Sequence, residues 1–271
     1  MTTSLSLPLP GGQALGQAGR RLAGLGLALL LPAAILYLWH LAAFHEWVTP
    51  LLLPAPATVL QALVDLHDSG DLWAHLGISL GRVGGGYLAG VALGLALGAA
   101  MGLSKTAEAY LMPSFKAISL VPVLGWLPLF IMLIGIEEGL KVLIIAKAVI
   151  VPVTINTVKG IRNIAPGHFE VARIYHFSPW QTLSRLIVPS ALPSLATGLR
   201  LGLANAWMAL VAVELLAASE GVGFLMVHSR QLFQLDMVMA SMVVIGVTGW
   251  LLDRLLQIVE RRLLAWRVTA Y

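Results

Sequence analysis

Apolar residues fall along this chain in long blocks divided by short polar intervals, and the block lengths decide the elements. The blocks cover 22–44, 83–103, 117–136, 140–158, 191–218 and 237–252. A helix crossing a hydrocarbon core of about 30 Å needs roughly 20 such residues. The pattern therefore predicts an all-α polytopic membrane protein with six transmembrane helices.

The intervals predict the rest of the organisation. Residues 1–19 are rich in Ser, Thr, Gly, Gln and Pro, with no charge and no apolar period, and read as a disordered tail. Arg20-Arg21 then open either a secretory signal or an uncleaved first span. The block that follows exceeds an h-region of roughly 7–15 residues and lacks a clean cleavage site, which favours the span. Residues 45–78 carry Glu46, Asp65, Asp68 and Asp71 but no Lys or Arg, and belong on the outer face. Within them, Val59, Leu60, Leu63, Val64 and Leu66 recur at helical spacing up to Ser69-Gly70. Ser104 to Lys116 reads as a short inner loop, Glu137-Glu138 as a tight outer turn, and 219–236 as an outer loop with Gly221-Val-Gly-Phe224. The expected divisions are a tail (1–19), a first span with an outer segment (20–78), a core of five spans (79–262) and a second cytoplasmic tail (263–271).

Two spans have unusual interiors. Gly86, Gly90, Gly94, Gly98 and Gly102 make a smooth stripe along one, which serves either intrachain packing or a subunit interface. Pro122, Gly125 and Pro128 interrupt another, and the freed backbone groups predict burial of that segment in the bundle.

The interval 163–193 is longer than a connection requires, and its punctuation predicts two short helices, one over 168–175 and one starting at Ser178. Ser178, Pro179 and Gln181 have the pattern of an N-cap, a first-turn proline and a capping box. Pro189 is expected to end that helix and Pro193 to open the next span. So much folded polar chain between two spans suggests a docking surface.

Composition narrows the classes. Hydrophobic residues make up 58% and charged residues 11%, against about 25% charged in soluble domains. The net charge of +4 reflects topology rather than nucleic-acid binding. Arg20, Arg21, Lys105, Lys116, Lys159, Arg162, Arg173, Arg185 and the C-terminal arginines share one side; Lys141, Arg230 and, if counted there, Arg82 share the other. That bias places both termini and the 163–193 loop in the cytoplasm. With no cysteine there is neither a disulfide nor a thiolate metal site, and the histidines lack ligand spacing, so no metal is expected. Gly102-Leu-Ser-Lys-Thr106 lacks the earlier glycine and strand of a phosphate loop, so the chain has no nucleotide site of its own. No catalytic constellation stands out, and the chain is not read as an enzyme.

Ionisable residues inside spans are functional hypotheses by default. Lys147 either attracts an anion or snorkels outward. Arg82 and Glu214 lie near outer span ends and are predicted to pair near an outer gate, while Arg200 is expected to be paired structurally or to snorkel.

Glu170-Val-Ala-Arg, followed by Ser178-Pro-Trp and Leu186-Ile-Val-Pro-Ser-Ala-Leu-Pro193, resembles the EAA loop of binding-protein-dependent ABC importer permeases. The stretch 79–262, with Gly160-Ile-Arg-Asn163, Thr197-Gly-Leu-Arg200, Val213-Glu214 and Gly221-Val-Gly-Phe224, resembles their nitrate/sulfonate/taurine branch. The resemblance implies a homodimeric pore in the bacterial plasma (inner) membrane, fed by an extracytoplasmic solute-binding protein. Two cytoplasmic ABC ATPase subunits would hold the ATP and Mg; this chain would bind no cofactor. Its coupling helix would comprise Glu170, Val171, Ala172, Arg173, Tyr175 and His176, with Ser178, Pro179 and Trp180 behind it. Val171 stands where the family has alanine and His176 where it has glycine, so His176 either keeps a left-handed turn or contacts the partner. Glu170 is read as a docking carboxylate or a solvated one, and Trp180 as a docking residue or an interfacial anchor. The implied solute is a small anion of the alkanesulfonate, taurine or nitrate type. An ion-coupled secondary transporter is the alternative, but no internal repeat supports it.

Overall fold

The computed structural model of the chain describes residues 30–265, and all regular structure among them is helical. The tails at 1–19 and 266–271, Arg20, Arg21, Arg267 and the first part of the first span lie outside the described residues. The chain divides into two compact units at Ala62/Leu63.

The first unit holds α1 (Leu30–Phe44), a short apolar helix, and a turn-rich stretch in which the Trp39 indole donates to the Pro54 carbonyl at 3.0 Å. Helix α2 (Pro56–Asp68) runs across the division and ends at Ser69-Gly70, where Gly70 has φ 83°.

The second unit is built on four long helices: α3 (Asp71–Leu103), α6 (Glu138–Arg162), α9 (Val188–Ala217) and α11 (Leu235–Leu263). Helices long and apolar enough to cross a membrane number four among the described residues, or five if a bent pair is counted as one span. The glycine stripe explains the closest contact. A Cβ at Gly86, Gly90, Gly94, Gly98 or Gly102 would lie 2.4–2.9 Å from Ile145, Val149, Val153, Thr157 or Ile161, in that order. The constant offset means that α3 and α6 are parallel, and the stripe is used within the chain. Gly198 and Gly202 of α9 meet Asn156 and Val149 in descending order, so α9 is antiparallel to α6. Arg200 with Asp253 and Trp207 with Ile245 set α11 antiparallel to α9. The shared core is Val83, Ile145, Val149, Val153, Leu203, Ala206, Trp207 and Leu210.

Parallel α3 and α6 require a return between them, and its form departs from the sequence expectation. Residues 104–116 are not a loop: Ser104 accepts from the Ala107 amide and caps a new helix, α4 (Lys105–Leu120). The span over 117–136, which Pro122, Gly125 and Pro128 interrupt in the sequence, is broken sharply enough to form separate helices. After Val121-Pro122 come one 3₁₀ turn (Val123–Trp126) and α5 (Leu127–Ile134), bent by 91° from α4. Nor is this segment buried as a whole, since α4 buries no residue and α5 buries Leu127. The freed backbone groups are met locally, with Gly125 donating to the Pro122 carbonyl and Lys147 to that of Val121.

The inner loop folds as α7 (Pro166–Ile174), then α8 (Pro179–Gln181) with the capping box at Ser178 and Gln181. Pro189 does not end this helix and Pro193 does not start another. A π-helical turn at Thr182–Ile187 leads directly into α9, which runs through both prolines. Widening the helix ahead of Pro189 accommodates its missing N–H. The expected outer loop 219–236 likewise contains a helix, α10 (Val222–Gln231).

Candidate functional site

At one end of the long helices, four charged side chains form a closed network. Arg82 donates to Glu214 at 2.7 Å and forks onto Glu138 with two bonds of 2.7 Å. Its guanidinium also reaches the Glu220 carbonyl at 2.7 Å, and Lys141 pairs with Glu138 one turn along α6. Arg82, Lys141 and Glu214 are buried, whereas the Glu138 side chain is 61% exposed. Two positive and two negative groups leave the cluster neutral, as burial requires.

Glu214 is also satisfied by neutral donors. Ser79 donates to both carboxylate oxygens at 2.8 and 3.0 Å, and the Gly223 amide donates at 2.9 Å. The carboxylate thus caps the start of α10 from another helix. Gly221-Val-Gly223 follows from this packing. Gly221 has φ 111°, and a Cβ there would fall 2.2 Å from the Glu214 carboxylate; one on Gly223 would meet the Glu214 Cβ at 2.7 Å. His75 Nδ1 accepts from the Gly221 amide and the Ser79 hydroxyl accepts from that of Val222. The sequence reading names Arg82 and Glu214 but misses Glu138, Lys141, Ser79 and His75. Ser79 lies one turn from Arg82, and Glu138 one turn from Lys141, which is the signal that helical spacing could have offered.

Lys147 sits apart from this network. It lines a cavity of about 430 Å³ between the broken segment, α6 and α9. Its ammonium donates to the Val121 carbonyl at 3.3 Å and stands 5.1 Å from the centre of the Trp126 ring. Among the described residues no carboxylate forms an ion pair with it.

At the opposite end, Arg162 pairs with Glu108 at 2.7 Å and donates to the Met101 carbonyl. Arg200 forks onto Asp253 at 2.7 and 2.9 Å, tying α9 to α11. Below them, α7 is anchored by buried Ala172 and by Phe169, which packs against Ile161, Ile164, Ile187 and Ala191. Its other face carries Glu170, Val171, Arg173, Ile174 and Tyr175, all exposed, with exposed Trp180 beyond. His176 has φ 51° and closes α7 in a Schellman motif: Phe177 donates to Ala172 at 2.9 Å and His176 to Arg173 at 3.0 Å. A non-glycine residue thus occupies the left-handed position at the C-terminal end.

Residues 90–265 match the family described as binding-protein-dependent transport system inner membrane component. The chain is 40% identical to the aliphatic sulfonates transport permease protein SsuC of Bacillus subtilis, over 97% of this chain and 95% of that one. It is 36% identical to the taurine transport system permease protein TauC of Escherichia coli (86% and 87% covered). Against the nitrate import permease protein NrtB of Synechocystis sp., identity is 30% (84% and 85% covered). With apolar helices long enough to cross a bilayer and this match across the long-helix unit, the chain belongs to the binding-protein-dependent inner membrane components, as an ABC transporter permease of the nitrate/sulfonate/taurine branch.

Proposed function

We propose that this chain is the pore subunit of an ATP-driven importer for a small anion of the alkanesulfonate, taurine or nitrate type. Two copies form the path, two cytoplasmic ATPase subunits bearing ATP and Mg dock beneath, and an external solute-binding protein delivers the load. Both termini face the cytoplasm of a bacterial cell.

The observation that carries this reading is the α7 handle. One face is locked to the α9 base through Phe169 and Ala172, while the other exposes Val171, Ile174 and Tyr175 beside Glu170 and Arg173. A solvated loop gains nothing from presenting three large apolar side chains on a rigid helix; a groove in a partner does. Force on α7 passes through the Phe169 packing into Ile187 and Ala191, and from there along helix that runs unbroken from Pro179 to Ala217. Arg82 and Glu214 act as a clasp at the outer end, their charges satisfied by neighbours rather than by solute.

Glu170→Lys is expected to abolish co-purification of the ATPase and ATP-dependent uptake while the chain still inserts. Uptake by the chain alone, driven by an ion gradient and indifferent to ATP, overturns the proposal.

A further inference from the structure

We infer that the Lys147 cavity is a solute site within the membrane chain itself, selective for a monoanion with an apolar tail such as a simple alkanesulfonate. The inference rests on the importer reading above and sharpens its solute class.

Lys147 lies about 13 Å along α6 from its first residue, deep enough that its side chain does not reach the end of the helix. An ammonium at that depth calls for a counter-charge. Its partners are neutral: one carbonyl at a long 3.3 Å and one indole face. That carbonyl, Val121, belongs to the broken point of the α4–α5 segment, so the cation rests on backbone that a helix would otherwise have used. An arriving oxyanion offers a stronger acceptor than the carbonyl it displaces.

The rest of the wall sets the class. Lys147 is the one ionisable residue lining the cavity, among the described residues, so one negative charge is neutralised and a second is not. Asn205 adds a neutral amide to the wall, and Ser119 a hydroxyl whose hydrogen is donated to the Lys116 carbonyl and whose oxygen lines the cavity. Leu124, Val151 and Met208 supply apolar wall, and the volume of about 430 Å³ suits a small organic molecule. No Asp or Glu lines the cavity, so the ammonium of a zwitterion such as taurine loses water without gaining a partner. Bare nitrate satisfies Lys147 but leaves the apolar wall unfilled. Unpaired polar groups discriminate more strongly than missing methylenes, so taurine is expected to be the poorer competitor.

The absence of native cysteine makes the test direct. Met208→Cys is introduced into the full chain in lipid nanodiscs without ATP, and maleimide labelling is followed with butane-1-sulfonate, taurine or nitrate present. Butane-1-sulfonate should protect the cysteine, and taurine and nitrate should need at least about tenfold higher concentration. Adding Lys147→Met should weaken butane-1-sulfonate protection by about tenfold or more, as expected for one charge-assisted hydrogen bond, while Lys147→Arg keeps it within about threefold. No protection with Lys147 in place, equal protection with Lys147→Met, or equal loss in both variants overturns the site. Preference for taurine overturns the selectivity. The readout involves no ATPase, so its failure and the failure of ATP-driven uptake are separate results.

Discussion

Glu214 accepts from Ser79, Arg82 and the Gly223 amide with its side chain wholly buried, while Glu138 accepts from Arg82 and Lys141 with most of its side chain in the open. The two carboxylates share one arginine but should differ greatly in their contribution to stability. Removing the charge of a buried pair costs about 3–5 kcal/mol, with Glu214→Gln expected near the lower figure because Arg82 keeps Glu138. Glu138→Gln, whose carboxylate is open to water but is also the partner of buried Lys141, should cost less than Glu214→Gln. Thermal unfolding of the two variants in the same detergent gives the order, and equal midpoints would refute it. The same geometry predicts that exchanging the charges of Arg82 and Glu214 does not restore stability, because a glutamate at 82 would face Glu138 across 2.7 Å contacts meant for a cation. Gly221→Ala should also unfold early, since the new methyl overlaps the Glu214 carboxylate and the positive φ adds strain of about 1–3 kcal/mol.

Along α3, glycines of two kinds occur within two turns, which separates packing from intrinsic helix preference. Gly85 has open space where a Cβ would go, whereas on Gly90 that atom would lie 2.6 Å from Val149 and 2.7 Å from the Ala146 carbonyl. Gly85→Ala should therefore be neutral or gain about 0.5–1 kcal/mol, while Gly90→Ala forces α3 and α6 apart and should lose stability measurably in a detergent melt. The fourfold spacing of the stripe was legible in the sequence because packing there depends on one residue type at one period; which helix it faces was not, since that depends on chain return. The misread elements share a physical cause. Residues 104–116 and 222–231 form helices with mixed composition, held by caps and tertiary contacts rather than by an apolar period. Pro189 and Pro193 read as helix ends but lie in a helix whose π turn absorbs the distortion. His176 illustrates the converse, a turn retained without its glycine. His176→Gly should keep the Schellman closure and relieve about 1 kcal/mol, while His176→Val should weaken ATPase co-purification by disturbing the end of α7.

At the scale of the long-helix unit, two ionic clusters mark opposite ends: Arg82–Glu138–Glu214 at one, Glu108–Arg162 with the Met101 carbonyl at the other. On α3 the two clusters meet Arg82 and Met101, which are about 28 Å apart along the helix axis, close to the thickness of a hydrocarbon core of about 30 Å. The chain from Ser104 to Glu137 must climb from the second cluster back to the first, and the bent α4–α5 segment is the piece that does so. Its break leaves the Val121 carbonyl to Lys147 rather than to a helix, which ties the topology of the return to the cavity. Charge gives the expected orientation: Lys105, Lys159, Arg173 and Arg185 lie in segments next to the Glu108–Arg162 end, and an excess of basic residues is expected on the inner side. Because native cysteine is absent, this orientation is open to a clean check. With Glu220→Cys, on the exposed turn before α10, an impermeant maleimide should react on intact cells. Ser178→Cys, at the exposed start of α8, should react only after permeabilisation. The reverse pattern would put Glu170 outside the cell, beyond reach of any cytoplasmic ATPase, and would remove the mechanical premise of the importer.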